Sequence, residues 1–535
     1  MRVYLSTEGT YPFVLGGVST WVDMLLHGLP EHEFEVGALV DNPHHRIVYR
    51  PPANVTLQPI PLWGLELVEE YLPRPDGWRR ALRTSSAVVR KEFLPSWEQL
   101  AECLCAPEAD PRALGDGLEA VARFAERFDL RRALSDAATW ALLLDRLTTN
   151  PLHARTGLAP AMDFARTMYR YLLPLTAPTP VVDVTHSSAA ALCALPAVVT
   201  KYRYGTPMVL TEHGIYLRER LLALSAEPFG TKLLFANFYR AVVELAYREA
   251  DMVTPVCHYN AMWEEALGVH PERIRVIHNG VDPDRVAVAG DPGDVPTVGF
   301  VGRIDPIKDV ITLIRAFARV RQVMAEARLR LWGPATSPEY LEECRATVAE
   351  LGLDEAVRFE GPTNDVSAAY GACHVVALSS ISEAFPYTAV EAMLAARPMV
   401  ATGVGGVAEA IGPCSCQGVE LVVEPGDPRG MADALLAVLS APAEERAELG
   451  AWLRRRARTL FAAQRMFDDY DDVYRTLCPL PAGSADLWQP RHDPWLGTDA
   501  GPSDHDAGAG AVPGRDTVVA SGEGTGGPVS LEAAS

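Results

Sequence analysis

The stretch SISEAFPYTAVEAM sets Glu383 and Glu391 eight residues apart, on either side of a Phe-Pro-Tyr turn. In one continuous helix the two carboxylates would lie ~12 Å apart along the axis and on different faces. Pro386 argues against that arrangement, because proline fits best in the first turn of a helix. Glu383 is then a loop carboxylate and Glu391 a helix carboxylate, spaced to hold one ligand at two points across a helix N-terminus. Thr388 followed by Glu391 also matches a capping box, which gives the second glutamate a purely structural role.

Three other segments carry candidate chemistry. In GFVGRIDPIKDVITLIRAF a strand ends at Gly302, and a loop runs through Arg303 and Lys308. A helix then begins near Asp309, its apolar stripe formed by Val310, Leu313, Ile314, Phe317 and Val320. Two cations at a strand exit, beside a helix N-terminus, suit an anion. A solvated charge pair is the plain alternative, and the GxxxxGK[ST] spacing of a P-loop is absent. Lys308 is one of only four lysines. In STEGTYPFVLGGVSTW, Gly16 and Gly17 precede a helix. They lack the GxGxxG spacing of a dinucleotide fingerprint but permit close backbone approach to a phosphate, or simply a helix entry. In VLTEHGIYLRER, His213 follows a strand amid Glu212, Tyr216, Arg218 and Arg220. A lone histidine after a strand is often structural, yet this exit is unusually polar. His186, in VDVTHSS, is a weaker candidate, and His278, in VIHNGVD, reads as structural.

These residues need a scaffold. The chain has 535 residues, 48% hydrophobic content and a formal net charge of -21. That length implies several folding units, and the charge disfavours nucleic acid and anionic membrane surfaces. Nine scattered cysteines without CxxC spacing read as reduced structural thiols. MRVYLSTEGTY has no signal-peptide hydrophobic region, and Val184 to Thr200 is too polar to span a bilayer. The expectation is a soluble, cytoplasmic protein.

Strand, glycine loop and helix open the chain as the first unit of a doubly wound α/β domain. Leu-, Ala- and Arg-rich helical patterning at about 62–175 predicts an insertion. Alternation then resumes through PVVDVTH, PMVLTEHG, DMVTPVC and RIRVIHNGVD. AVAGDPGDVPT reads as a linker. TVGFVG, LRLWG, VRFEG, HVVALSS, PMVAT and VELVV then predict a second six-stranded parallel sheet. The expected organisation is a first Rossmann-like domain at 1–285, a second at 286–447, closing helices at 448–478 returning to the first domain, and a disordered tail at 479–535.

Taken in order, GGV, EHG, HNGVD, GRIDPIKD, SEAFPYTAVEA and PMVATGVGGVAEAIG resemble the GT-B glycosyltransferases of family 4. TEGTYPFVLGGVSTWV and LTEHGIYLRER are similar to its PelF-like branch, which has a DUF3492-type N-terminal domain and is associated with exopolysaccharide synthesis. The resemblance implies the α/β GT-B fold, two Rossmann-like domains facing a cleft. It also implies a retaining transferase that moves a sugar, leaning towards a UDP-sugar, to a saccharide or other hydroxyl acceptor. Arg303 and Lys308 match the donor diphosphate pair, with Gly16 and Gly17 near the phosphates. Glu391 matches the ribose ligand, and Glu383, with Ala384, Phe385 and Pro386 after it, the donor-sugar site. His213 matches the histidine near sugar and acceptor, and Tyr11, His186 and Arg218 are the acceptor-side candidates. Ala384-Phe385-Pro386 stands where the PelF-like branch carries Gly-Gln-Pro, which leaves the sugar open. No metal and no cofactor is expected, and the partners are the donor, the acceptor and a polysaccharide synthase complex met peripherally. The alternative is a catalytically weak nucleotide-sugar-binding subunit of such a complex.

Overall fold

The computed structural model describes residues 1–40, 46–62, 77–150, 153 and 156–478. The part of the expected insertion before Gly77 is therefore only partly covered, and the expected tail lies outside the described residues.

Two parallel sheets of six strands dominate the chain. The first comprises β1 (Arg2–Glu8), β2 (Glu33–Val40), β3 (Val55–Pro61), β4 (Val184–Ser187), β5 (Met208–Leu210) and β6 (Met252–Val253). Its order is β3-β2-β1-β4-β5-β6. The second contains β7 (Thr297–Val301), β8 (Arg328–Trp332), β9 (Val357–Gly361), β10 (Val375–Leu378) and β11 (Met399–Thr402). A two-residue hairpin, β12 (Ser415–Cys416) with β13 (Val419–Glu420), precedes its last strand, β14 (Val422–Val423). Its order, β14-β11-β10-β7-β8-β9, is the same winding seen from the other edge. Each sheet reverses direction beside its first strand, at β1/β4 and at β7/β10. Such switch points leave a crevice at the strands' carboxyl ends, where ligands bind in folds of this kind.

The strands are short apolar runs because helices cover both faces, so β7, β10 and β11 are buried along their whole length. The expected strand in RIRVIHNGVD is a correction. It pairs only through Val253 and Ile274, because it meets a two-residue edge strand and then turns to cross between the domains. The insertion is helical from Gly77–Arg83 to Leu158–Leu172. Phe93, Trp97, Leu100, Leu118 and Phe164 share one core with Leu234 and Phe238 of the first domain, so the insertion is part of that domain's interior.

The closing helices are Ala443–Leu460, which starts earlier than its sequence pattern suggested, and Ala463–Leu477. Met466, Tyr470, Val473 and Tyr474 of the last helix pack among Val3, Trp21, Val22 and Leu25 of the first domain. The chain thus passes between domains twice, and the passages lie side by side. The Val281 amide donates to the Phe461 carbonyl (2.9 Å), and the Ala463 amide to the Val281 carbonyl (3.0 Å).

The helix Tyr387–Leu394, which bears Glu391, is stopped by a Schellman motif. The amide of Ala396 reaches the carbonyl of Met393, and that of Arg397 reaches the carbonyl of Ala392, both at 3.0 Å. The motif requires a left-handed residue, and Ala396 supplies it at φ 58°. An L-residue there costs roughly 1–2 kcal/mol, partly offset by the extra freedom glycine has when unfolded. Ala396→Gly is therefore expected to raise the apparent melting temperature slightly, by up to about 1 kcal/mol of stability, with activity unchanged; a drop in melting temperature would contradict the cap assignment.

Candidate active site

At the second switch point, β7 and β10 deliver opposite charges to one place. Lys308 lies in the short turn Pro306–Lys308, which Asp305 caps by accepting from the Ile307 amide. Its carbonyl accepts from Ser379 Oγ at 2.8 Å, which ties the β7 loop to the end of β10. Its ammonium donates to Glu383 Oε1 at 2.5 Å, and Ser380 Oγ donates to the same oxygen at 2.6 Å. Both side chains are largely enclosed, with 16% and 9% exposed. Arg303 is in the same loop, directly after Gly302. The Glu383 turn rests on the GVGG loop: Gly405 has φ 52°, and a Cβ there would sit 1.6 Å from the Glu383 carbonyl oxygen. The Gly406 amide donates to the Ala384 carbonyl at 2.7 Å.

The capping-box reading of Glu391 does not hold. The helix starts at Tyr387 after Pro386, with no side-chain cap, so Thr388 already lies inside its first turn. Glu391 accepts instead from the Tyr370 hydroxyl at 2.9 Å. Burial raises its pKa, opposed by that hydrogen bond and by the charge of Arg285. Phe385 turns away from the site, packing on His278 (5.1 Å between ring centroids) and Phe461 (5.0 Å). Ala384 and Phe385 thus meet the site through backbone, the Phe385 carbonyl being held by Asn279 Nδ2 at 3.2 Å.

The first domain brings its own groups to this edge. Gly17 starts the helix Gly17–Gly28, and a Cβ on it would lie 4.0 Å from the Tyr387 ring, so the two helix N-termini meet. Arg218 Nη1 donates to Ser382 Oγ at 3.1 Å, one residue before Glu383. His213 follows β5 with its ring 4.6 Å from that of Trp21. Its Nε2 is buried and unpartnered among the described residues, and burial pushes its pKa down to about 3. The imidazole is therefore neutral at ordinary pH.

Two acceptor-side candidates are not brought to the cleft surface. His186 is fully buried, its Nδ1 on the Tyr474 hydroxyl (2.6 Å) and its Nε2 on Thr211 Oγ1 (2.7 Å). Tyr11 is also fully buried, in the core beside Tyr49. Both correct the expectation for the same reason: a polar residue near a strand exit can point inwards, and a helix more than 280 residues away supplies the partner of His186. Ser380 and Tyr370, which hold the two glutamates, were missed. The Ser-Ser exit of β10 was the only available signal for the first, and the second had none.

Residues 1–272 match the family described as Domain of unknown function (DUF3492), and residues 295–441 match Glycosyl transferases group 1. The chain is 31% identical over 309 residues to a D-inositol 3-phosphate glycosyltransferase of Saccharomonospora viridis, covering 53% of this chain and 68% of that protein. A second relative of that name, from Stackebrandtia nassauensis, is 32% identical over 251 residues, covering 43% and 54%. Among solved structures, sucrose-phosphate synthase of Thermosynechococcus elongatus superposes with a TM-score of 0.57 at 19% identity, over 89% of this chain and 98% of that one. HepE of Anabaena, solved with UDP and glucose, gives 0.55 at 17% identity, over 90% and 100%. The fold is that of the GT-B glycosyltransferases. The chain belongs to the group 1 glycosyl transferases and carries a DUF3492 domain as its N-terminal half.

Beside His213, Glu212 is fully buried, accepting from the Ala190 amide (2.8 Å) and the Tyr247 hydroxyl (3.1 Å). Glu264 is fully buried with neither carboxyl oxygen partnered among the described residues. Burial raises Glu212 to about 8; burial and the charge of Glu212 raise Glu264 to about 10. An unfolded chain releases both protons near 4.5. The folded chain thus holds extra protons above that pH, and stability falls as pH rises from about 4.5 through about 8 and on towards 10. Glu264→Gln is expected to flatten this decline in a series of melting curves, and an unchanged slope would show that the pair does not govern it.

Proposed function

We propose that this chain is a retaining, metal-independent glycosyltransferase acting on a UDP-sugar and a hydroxyl acceptor. The observation that carries the reading is the convergence at the β7/β10 switch point: Lys308 on Glu383, beside Arg303, with Glu391 one helix turn further on and Gly17 opposite. A nucleoside diphosphate sugar offers a ribose, two phosphates and a sugar in a row, and the site offers a carboxylate, cations with helix N-termini, and a carboxylate. The solved complex of HepE with UDP and glucose supports the choice of uridine. The PelF-like resemblance supports a role in exopolysaccharide synthesis, and the nine free cysteines support a cytoplasmic setting.

In the reaction the anomeric C–O bond to the diphosphate breaks, and an acceptor oxygen bonds to the same carbon from the same face. The acceptor proton passes to the departing phosphate oxygen. Negative charge grows on the diphosphate, and Arg303, Lys308 once drawn from Glu383, and the helix N-terminus at Gly17 oppose it. Positive charge grows on the sugar, and Glu383 opposes that without forming a bond. Glu391 holds the ribose hydroxyls. Neutral His213 hydrogen-bonds sugar or acceptor and does not compete with the cations for the phosphates.

Calorimetric titration with UDP, GDP, ADP and NAD, then donor hydrolysis followed by NMR of the product anomer, tests the reading. UDP should bind tightest, activity should survive EDTA, and the product should keep the donor's configuration. NAD binding alone, or an inverted anomer, would overturn it. Lys308→Ala should lose ~100-fold or more in turnover, the scale of removing one preorganised group that opposes developing charge. Glu383→Gln should still bind UDP but transfer poorly; full transfer would remove Glu383 from the mechanism.

A further inference from the structure

Between the two domains, against the ring of Phe385, three metal-ligating side chains from three separate segments meet. His258 is the first residue of the helix His258–Ala266, His278 lies in the crossover, and Glu409 is in the helix Val407–Ile411 of the second domain. Their ligand atoms all lie within 4.8 Å of one another. Glu409 Oε2 accepts from the His258 backbone amide at 2.8 Å, which fixes the carboxylate and turns Oε1 towards both rings. Oε1 is hydrogen-bonded to His278 Nε2 and lies 3.6 Å from His258 Nε2.

We propose that His258, His278 and Glu409 bind a divalent transition ion of the zinc class, joining the two domains. Two imidazoles and one carboxylate are a donor set that zinc takes with its fourth position open. Bonds of ~2.0–2.1 Å place tetrahedral ligand atoms roughly 3.3 Å apart, and the His258–Glu409 spacing is already near that value. His278 is held by aromatic neighbours, Phe385 at 5.1 Å and Phe461 at 5.3 Å, which fix its ring and exclude water on that side. His258 is 72% exposed, so the opposite side offers an entry path and room for a water ligand. The nearby Arg456 donates to the backbone carbonyls of Glu409 and Ala410 and leaves the carboxylate available. The other trio of metal-ligating groups among the described residues, Glu31, His32 and Asp471, offers a single imidazole.

An ion here would tie together the crossover, the first domain and the helix after the GVGG loop, with water in its fourth position. None of its three ligands takes part in the sugar-transfer step.

The test uses the full chain without an affinity tag, stripped with EDTA and titrated with Zn²⁺ by calorimetry and with Co²⁺ by visible absorption. One ion per chain should bind, and zinc should raise the apparent melting temperature, because it binds the folded form only. His258→Ala keeps its backbone amide on Glu409 and loses an exposed ring, so it should fold normally and bind zinc at least ~10-fold more weakly. Glu409→Gln should do the same, whereas His32→Ala should leave binding unchanged. Absence of micromolar binding, or affinity unchanged in His258→Ala, would overturn the proposal. The readout is binding, so the result is independent of whether the chain transfers a sugar.

Discussion

A parallel sheet sends every strand exit to one edge, and only where its winding reverses do adjacent exits diverge enough to admit a ligand. Both sheets here obey that constraint with the same strand order. At β7/β10 it brings an ammonium and a carboxylate, 75 residues apart in sequence, into a nearly enclosed contact. Neither charge could be held so far from water alone; each is the condition for burying the other. Ser379 and Ser380 then lock the loops, and the GVGG segment supports the turn from beneath.

The pair also gives the site a resting configuration. Lys308 and Glu383 neutralise one another. In the proposed reaction, drawing Lys308 to a phosphate would leave Glu383 free to meet positive charge, so that one contact would serve both halves of the charge separation. His213 contributes differently: burial against Trp21 keeps it neutral, so it adds a hydrogen-bonding group without adding charge.

Local signals carried much of this arrangement. Five strands of the second sheet were readable as short apolar runs, whereas VELVV is divided between the hairpin strand β13 and β14; the GRIDPIKD and SEAFPY segments were readable as strand exits. Pro386 correctly announced where the helix of Glu391 begins. Long-range packing was not readable. His186 lies within β4 and Tyr11 just after β1, and their direction is decided by contacts with Tyr474 and Tyr49. Burial of Glu264 on a short helix, and its closeness to Glu212, likewise depends on how that helix docks. Tyr370 finds Glu391 across 21 residues through tertiary packing alone.

The last helix, Ala463–Leu477, has a consequence for synthesis. Its Tyr470 and Tyr474 complete the interior around Trp21 and His186, so the first domain contains its most distant sequence. During synthesis the core around Trp21 must wait for that helix, whereas the core around Phe93, Leu118 and Phe238 is built from the first domain's own segment. The second domain, whose strands are contiguous in sequence, can mature before the core around Trp21 closes. The sheet that is started first is thus completed after the second one, and in that interval its unfilled apolar groove is exposed to non-native partners.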